Sequence, residues 1–337
     1  MRRMTALLLL LAAASALAQA PPATEALEGL ETVHGLLPNG RGFRVQTILT
    51  RPSGTSGRLP ALMLVPWLSC DGVEVRAAEL DGMLTLTRQL ARESGMVMLR
   101  VEKPGLGASE GPKCADADFA TELAGYRAGL EMLRQHPWVD PDRVFLVGMS
   151  NGGGILPVVA GDQRVAGYVV VNGWSKTWFE HMMELLRRDA ERRQLSPGDV
   201  ADRMRGYAEL YSGYLLEKKL PGDVIRQKPH LAGLWEGDPA RQYGRPAAFY
   251  HQLQDLNLAG AWSKVSAPTL VIWGDRDWIM SGDDHERIVA MVNRRHPGAA
   301  RLVVVPGMDH FVEGEFTRSV ATTVLAWLED RARPCLH

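Results

Sequence analysis

The chain has 337 residues, of which 46% are hydrophobic and 23% are charged, and its formal net charge is −1. This balance is ordinary for a globular protein, and it excludes a basic protein built to bind nucleic acid. No long run of like charges indicates a solvated tail or a patch that binds a membrane surface.

The first predicted element is a signal peptide over residues 1–18. Two arginines precede an apolar run from Leu7 to Ala18, which is too short for a comfortable membrane span. Cleavage after Ala18 is favoured, because cleavage after Ala20 would leave Pro21 as the first residue. We therefore expect an exported protein, periplasmic or extracellular, with no stable membrane insertion after cleavage. An uncleaved membrane anchor is the alternative.

Residues 30–50 predict a β-hairpin, because Asn39-Gly40 between two extended runs is a strong signal for a two-residue turn. Beyond it, short apolar strands alternate with amphipathic helices. Strands that are apolar along their whole length are buried on both faces. The pattern therefore predicts an α/β fold with a mostly parallel central sheet and helices on both faces, formed by residues 19–172 and 263–337.

The alternation stops over residues 173–262. This segment is rich in aromatic residues and methionine, it has helical character, and it contains no convincing strand. A segment of this length between two strands is too long for a loop. We therefore predict a helical cap, inserted into a core whose strand pattern resumes with "APTLVIWGD".

The stretch "RVFLVGMSNGGG" places Ser150 between a predicted strand and a predicted helix, with Gly148 and Gly152 two residues to either side. This is the sequence and context of a nucleophile elbow. The turn is so tight that side chains at the two flanking positions would collide, so glycine is required there. The backbone N–H of Asn151 is then expected to form half of an oxyanion hole. A simple glycine-rich turn is the alternative.

A serine hydroxyl needs a base, and the base needs an orienting carboxylate. His310 follows the last predicted strand in "RLVVVPGMDHF", in a loop that can reach the elbow, whereas His285 on a helix is the weaker rival. In "TLVIWGDRDWI", Asp277 is better placed than Asp275 to reach this histidine, because Asp275 belongs to the turn directly after the strand. The predicted catalytic residues are therefore Ser150, Asp277 and His310.

The chain order of nucleophile, acid and base is the order of the α/β-hydrolases, and the sequence resembles this superfamily over essentially the whole mature chain. The stretches "RVEKPGLGASEGPKC", "FYHQLQDLNLAGAW" and "VVVPGMDHF" further resemble a group of exported bacterial α/β-hydrolases. The resemblance implies an α/β-hydrolase fold, a serine-hydrolase mechanism and a variable helical cap.

One stretch departs from the superfamily pattern. The strand before the first core helix commonly ends in His-Gly, but here "LVPWLSCDG" has Pro66 and Trp67 in those places. Proline has no N–H to donate. By position, the second N–H of the oxyanion hole is expected from Leu68, with Trp67 in the pocket wall.

The three cysteines are Cys70, Cys114 and Cys335. Cys70 and Cys114 each lie in a loop after a predicted strand, and we expect them to form a disulfide, which export permits. An odd number leaves at least one thiol unpaired within a monomer. Three free thiols are the alternative.

These observations predict a serine hydrolase that cleaves a small, apolar carboxylic ester through an acyl-enzyme, with a small-molecule ester or amide as its partner. The alternatives are an amidase or peptidase, an acyltransferase, or a non-catalytic binding protein on the same fold. No histidine or cysteine spacing indicates a metal site, and "GLGASEG" lacks the residues of a phosphate or dinucleotide loop, so no cofactor is expected. The pattern predicts no particular oligomeric state.

Overall fold

The computed structural model describes residues 25–75 and 81–333, so the predicted signal peptide and Cys335 lie outside the described residues. An eight-stranded sheet forms the centre of the described structure. Two further short strands, β7 and β8, pair with each other outside this sheet. The strands of the described residues are β1 (Leu30–Pro38), β2 (Arg44–Pro52), β3 (Leu59–Val65), β4 (Val97–Val101), β5 (Val139–Met149), β6 (Gly167–Val171), β7 (Arg241–Gln242), β8 (Arg245–Pro246), β9 (Thr269–Gly274) and β10 (Ala300–Val305).

The strand order in the sheet is β1-β2-β4-β3-β5-β6-β9-β10. Strand β2 pairs antiparallel with β1 and β4, and all the other neighbouring strands pair in parallel. This arrangement confirms the predicted mostly parallel sheet. In a parallel sheet the carboxyl ends of the strands meet at one edge, where the loops after β5, β9 and β10 come together.

The central strands are buried on both faces, as their apolar runs predict. In β5, Val144 and Leu146 belong to one apolar core, while Phe145 and Val147 belong to a second core on the other face. Successive side chains of a strand point to opposite faces, so a strand with helices on both sides has no polar face.

Helices cover both faces of the sheet, with α1 and α10 on one face and α2, α3 and α9 on the other. The α-helices are α1 (Gly82–Glu93), α2 (Phe119–Gln135), α3 (Asn151–Ala160), α4 (Trp178–Arg192), α5 (Pro197–Tyr211), α6 (Pro221–Gln227), α7 (Ala247–Gln254), α8 (Leu258–Trp262), α9 (Gly282–Arg295) and α10 (Glu315–Ala332). The layered α/β architecture is therefore the predicted one.

Two local details differ from the sequence prediction. Strands β1 and β2 pair as a hairpin from Leu30 to Pro52, but residues 39–43 form a longer connection than the expected two-residue turn. The Asn39 carboxamide oxygen accepts the N–H of Arg41, and Gly40 and Gly42 both have positive φ. The chain therefore reverses over five residues instead of the two that Asn39-Gly40 predicts.

The segment between β6 and β9 contains helices α4 to α8, a π-helical turn and a small hairpin of β7 and β8. The expectation of no strand in this segment is therefore wrong at one place. Tyr243 and Gly244 both have positive φ, and such a pair closes a tight two-residue hairpin. Among the described residues, no helix combines the length and the apolar character that crossing a membrane would require.

Candidate active site

Ser150 lies in the sharp turn between β5 and α3. Its φ is 55° and its ψ is −125°, a backbone conformation that non-glycine residues rarely adopt. Its backbone N–H donates to the carbonyl oxygen of Val171 at 3.0 Å, which ties the turn to the end of β6. The turn directs the hydroxyl toward the carboxyl edge of the sheet, at the start of a helix whose positive dipole end favours negative charge.

The glycines on either side of Ser150 are required by close backbone contacts. A Cβ atom at Gly148 would lie 2.5 Å from the carbonyl oxygen of Gly152. A Cβ at Gly152 would collide with the backbone oxygens of Val65 and Pro66. Because backbone atoms of buried strands cannot move aside cheaply, larger residues at either position would distort the turn.

His310 contacts both Ser150 and Asp277. Its Nδ1 donates to Oδ2 of Asp277 at 2.8 Å, and the Ser150 hydroxyl lies 2.9 Å from its Nε2. An ionised carboxylate can only accept, so Nδ1 carries the proton and Nε2 of the neutral ring accepts from the serine. All three side chains are buried.

The two candidate carboxylates have different partners. Oδ1 of Asp277 accepts the backbone N–H groups of Ile279 and Met280 at 2.8 and 2.9 Å, which leaves Oδ2 for His310. Oδ1 of Asp275 accepts the N–H of Gly307 at 2.7 Å, within the turns at the end of the sheet. Asp277 is therefore the carboxylate that can orient the imidazole.

The rival histidine, His285, is engaged elsewhere. Its Nδ1 donates to the carbonyl oxygen of Ser281 at 2.7 Å, and its ring packs near Trp273. Burial lowers the pKa of His285, so its ring is neutral in the protein interior. Its role is structural in this arrangement.

Asn172, at the end of β6, connects the two loops that carry Asp277 and His310. Its Nδ2 donates to the backbone carbonyl oxygens of Asp309 and His310 at 3.0 and 3.1 Å, and its Oδ1 accepts the N–H of Gly274 at 3.0 Å. The residue is fully buried and has a φ of 47°. Sequence analysis missed this contact, and an asparagine directly after a strand of the predicted sheet is the signal that could have found it.

A cavity of about 300 Å³ opens beside Ser150 and His310. Leu68 and Asn151, the two predicted oxyanion-hole residues, lie in its wall, as does Trp67. Asn151 is the first residue of α3, where a backbone N–H has no partner within the helix and is free to bind a ligand. The arrangement can hold a carbonyl group next to the serine hydroxyl.

A second cavity, of about 260 Å³, lies between α4, α5 and the segment that follows α6. Leu185, Tyr243 and Trp278 line both cavities. Leu185 and Tyr243 belong to the segment between β6 and β9, so this segment forms part of the wall of the space beside Ser150.

A disulfide joins Cys70, in the loop after β3, to Cys114, in the loop before α2. The fully buried Arg245, from the segment between β6 and β9, donates to the sulfur atoms of both cysteines and to the carboxylate of Glu122. Its guanidinium also lies 4.3 Å from the ring centre of Phe249. One buried cation therefore ties the inserted segment to the loop that carries Leu68.

His181 is a further buried histidine in the wall of the first cavity, and sequence analysis missed it. It lies on α4, whose start is fixed by hydrogen bonds between Thr177 and Glu180. The pattern "WFEHMMEL" has this histidine in the apolar stripe of an amphipathic helix, which is the signal that could have found it. Burial lowers its pKa to about 4, although the nearby Asp284 opposes the shift.

We predict that His181 makes the protein less stable as the pH falls. In the unfolded chain this side chain binds a proton near pH 6.5, but in the folded protein only near pH 4, so between these values the unfolded state binds more protons. The free energy of unfolding should fall over this window by up to about 3 kcal/mol from this residue. Urea unfolding at several pH values should show that the free energy of unfolding decreases less between pH 6.5 and pH 4 in His181→Gln than in the wild type. An equal decrease in the two proteins would contradict the prediction.

The comparisons with known proteins agree with this architecture. The model of the family described as serine aminopeptidase, S33, matches residues 78–316. No curated protein matches the chain in sequence.

Among the described residues, no group of three or more His, Cys, Asp or Glu side chains is arranged to hold a metal ion.

Several solved structures share the fold at low sequence identity. Est1E from Butyrivibrio proteoclasticus, with ferulic acid bound, has a TM-score of 0.58 and 16% identity, over 88% of this chain and 98% of that one. An esterase from Pyrococcus furiosus has a TM-score of 0.58 and 12% identity, over 90% and 92%. DcsB in complex with a substrate analogue has a TM-score of 0.58 and 15% identity, over 89% and 100%.

The family match covers most of the chain, and the structural neighbours share its central sheet, which confirms the superfamily that the sequence resembles. The chain therefore belongs to the family described as serine aminopeptidase, S33, and through it to the α/β-hydrolase superfamily.

Proposed function

We propose that the protein is a serine hydrolase that cleaves small carboxylic esters through an acyl-enzyme. The observation that carries the proposal is the pair of hydrogen bonds that His310 makes with Ser150 and Asp277. Ser150 attacks the ester carbonyl while His310 takes its proton, and Asp277 holds the imidazole and stabilises its positive charge. His310 then protonates the leaving alcohol and activates the water that releases the acid.

The oxyanion of the tetrahedral intermediate is stabilised by the backbone N–H groups of Leu68 and Asn151 in this proposal. Both residues line the cavity beside Ser150. N–H groups that are fixed before the reaction stabilise developing charge without reorganisation, and one such donor contributes roughly 10²- to 10³-fold in kcat. The disulfide between Cys70 and Cys114 supports the Leu68 loop, because Cys70 follows two residues later.

Residues 173–262 serve as a helical cap over the site, with residues 19–172 and 263–337 as the core. The walls of the cavity are largely aromatic and aliphatic, with Trp67, Met83, Trp178, Leu185 and Ile279 among them. Such walls favour an apolar acyl or aryl group. A structural neighbour named as an esterase and another neighbour with ferulic acid bound agree with a small-molecule ester as substrate.

We further propose that a signal peptide over residues 1–18 directs export to the periplasm or the extracellular space. The disulfide between Cys70 and Cys114 fits such a location, because disulfides persist in oxidising compartments.

A fluorophosphonate probe tests the nucleophile. It should label the wild-type protein and fail to label Ser150→Ala, because the probe reacts only with an activated serine. Ser69→Ala is a matched control, since Ser69 also lines the cavity but its hydroxyl hydrogen-bonds to Asp71. Undiminished labelling of Ser150→Ala would reject the assignment.

The family description makes an amide the second candidate substrate. Hydrolysis of p-nitrophenyl butyrate and of the matching p-nitroanilide separates the two activities, since the acyl group is the same. We expect a kcat/KM at least 100-fold higher for the ester, because p-nitrophenolate is weakly basic and leaves with less proton donation from His310 than the p-nitroaniline nitrogen requires. A faster anilide would assign an amidase or peptidase instead.

We predict that Asn172→Asp lowers kcat about 10- to 100-fold with little change in KM. An aspartate would place an oxygen against the carbonyl oxygens of Asp309 and His310, and the resulting repulsion would displace the His310 loop by a fraction of an ångström or more. Steady-state kinetics with p-nitrophenyl butyrate provide the measurement. Asn257→Asp is the matched control, because an aspartate there can still accept the N–H of Gly260. An unchanged kcat would refute the positioning role.

A further inference from the structure

His181 faces the cavity beside Ser150 from the inserted segment. Trp178, His181 and Leu185 lie one turn apart on α4, and all three line this cavity together with Ser150 and His310. A helix presents residues three and four apart on one face. The imidazole is therefore part of the same wall as the aromatic and aliphatic side chains that surround the proposed acyl group.

Nδ1 of His181 is buried and has no hydrogen-bond partner among residues 25–75 and 81–333, and only 1% of the residue is exposed. His310, by contrast, uses both of its ring nitrogens, while His285 uses Nδ1 and leaves its buried Nε2 without a partner. A buried polar group without a partner is costly, and in native proteins it calls for a specific explanation.

The neighbours of His181 do not satisfy it. The rings of Trp174 and Trp178 lie 5.9 and 4.8 Å from its ring centre. The carboxylate of Asp284, which acts electrostatically on His181, accepts from Ser175 and Ser281.

Arg188, a cation that acts electrostatically on His181, has other partners as well. The guanidinium of Arg188 donates to the backbone carbonyl oxygens of Trp278 and Ile279. The imidazole is neutral near pH 7, because burial lowers its pKa to about 4. It therefore offers one N–H donor and one acceptor, and it carries no charge that would attract an anion.

We propose that His181 binds a hydroxyl group of the substrate, so that the preferred substrates are hydroxyacyl esters rather than plain alkyl esters. This inference rests on the proposed function. A hydroxyl matches a neutral imidazole because each group can both donate and accept one hydrogen bond. The surrounding apolar wall excludes water that would otherwise compete, which makes the contact selective.

The direct test compares methyl 3-hydroxybutyrate with methyl butyrate, which differ by one hydroxyl group, and methyl 4-hydroxyphenylacetate with methyl phenylacetate. Titration of the released acid gives kcat/KM for each ester. We expect the wild-type protein to prefer the hydroxy ester in at least one pair by about tenfold, as one neutral hydrogen bond allows. A ratio near one in both pairs would overturn the proposal.

Substitutions at His181 assign the preference to this side chain. His181→Phe keeps an aromatic ring but removes both nitrogens, and it should lower kcat/KM for the preferred hydroxy ester about tenfold more than for the matching plain ester. His181→Gln retains a donor and an acceptor, and it should keep part of the preference. An equal loss on both esters would assign a structural role to His181 and reject the inference.

A substrate series on the wild-type protein keeps the test independent of the folding of any variant. In whichever hydroxy ester is preferred, replacing the hydroxyl by methoxy removes the donor, and replacing it by methyl removes both functions. We expect kcat/KM to fall along this series, and equal values for all three esters would overturn the proposal. The proposed function fails separately, if Ser150→Ala hydrolyses methyl butyrate at the wild-type rate.

Discussion

Ser150→Ala is expected to lower kcat for p-nitrophenyl butyrate by about 10⁵- to 10⁶-fold, and Asp277→Asn by about 10⁴-fold. The serine variant loses the hydroxyl that forms the acyl-enzyme in the proposed mechanism. The aspartate variant keeps the shape of the site, but a carboxamide no longer accepts reliably from Nδ1 of His310, so the ring can hold the wrong tautomer.

Asp275→Asn is the matched control for this prediction. Asp275 lies two residues away and accepts the N–H of Gly307, which an asparagine oxygen can also do, so kcat should change less than about tenfold. Steady-state kinetics on the purified variants, with circular dichroism to confirm folding, give the comparison. A larger effect at Asp275 than at Asp277 would exchange the roles of the two carboxylates.

Arg245→Met is expected to lower the free energy of unfolding by about 3 to 5 kcal/mol. The guanidinium and the Glu122 carboxylate are both buried, and removing the guanidinium leaves the carboxylate charge without its ion-pair partner, although the Tyr126 hydroxyl still donates to it. The double variant Arg245→Met with Glu122→Gln should recover a large part of the loss, because it leaves no charge from this pair in the interior.

Arg44→Met provides a matched control for the buried pair. Arg44 also pairs with a glutamate, Glu110, but both side chains are substantially exposed, so its loss should change stability little. Urea unfolding of the wild type, the two single variants of the buried pair, their double variant and Arg44→Met is the measurement. A double variant as unstable as the sum of its two single variants would show that Arg245 and Glu122 act independently.

The local patterns of the sequence predict the sheet and the position of Ser150 well. The strands are apolar over their whole length. Gly148 and Gly152 are required because backbone atoms of the turn occupy the space that a Cβ atom would need. His310 and Asp277 were predictable because the carboxyl ends of parallel strands converge at one edge. Each of these inferences rests on neighbours in the chain or on a general property of parallel sheets.

Asn172 and His181 could not be identified in the same way. The role of Asn172 depends on contacts with residues 274, 309 and 310, which are more than 100 positions away. His181 lies in an inserted segment whose path over the core no local pattern defines. A histidine in an apolar stripe is usually a packed residue, and only the cavity beside it suggests a different purpose.

The partition between the two cavities consists of three side chains that line both of them, Leu185, Tyr243 and Trp278. In the proposed esterase, an acyl group that is longer than the first cavity can extend into the second cavity only if these three side chains move. The maximum acyl length in the proposed esterase is then set by three side chains, two of them in the segment between β6 and β9, and not by the sheet that carries the proposed catalytic groups. Selectivity for chain length can therefore change during evolution through single substitutions in the partition, while the chemistry of bond cleavage stays intact.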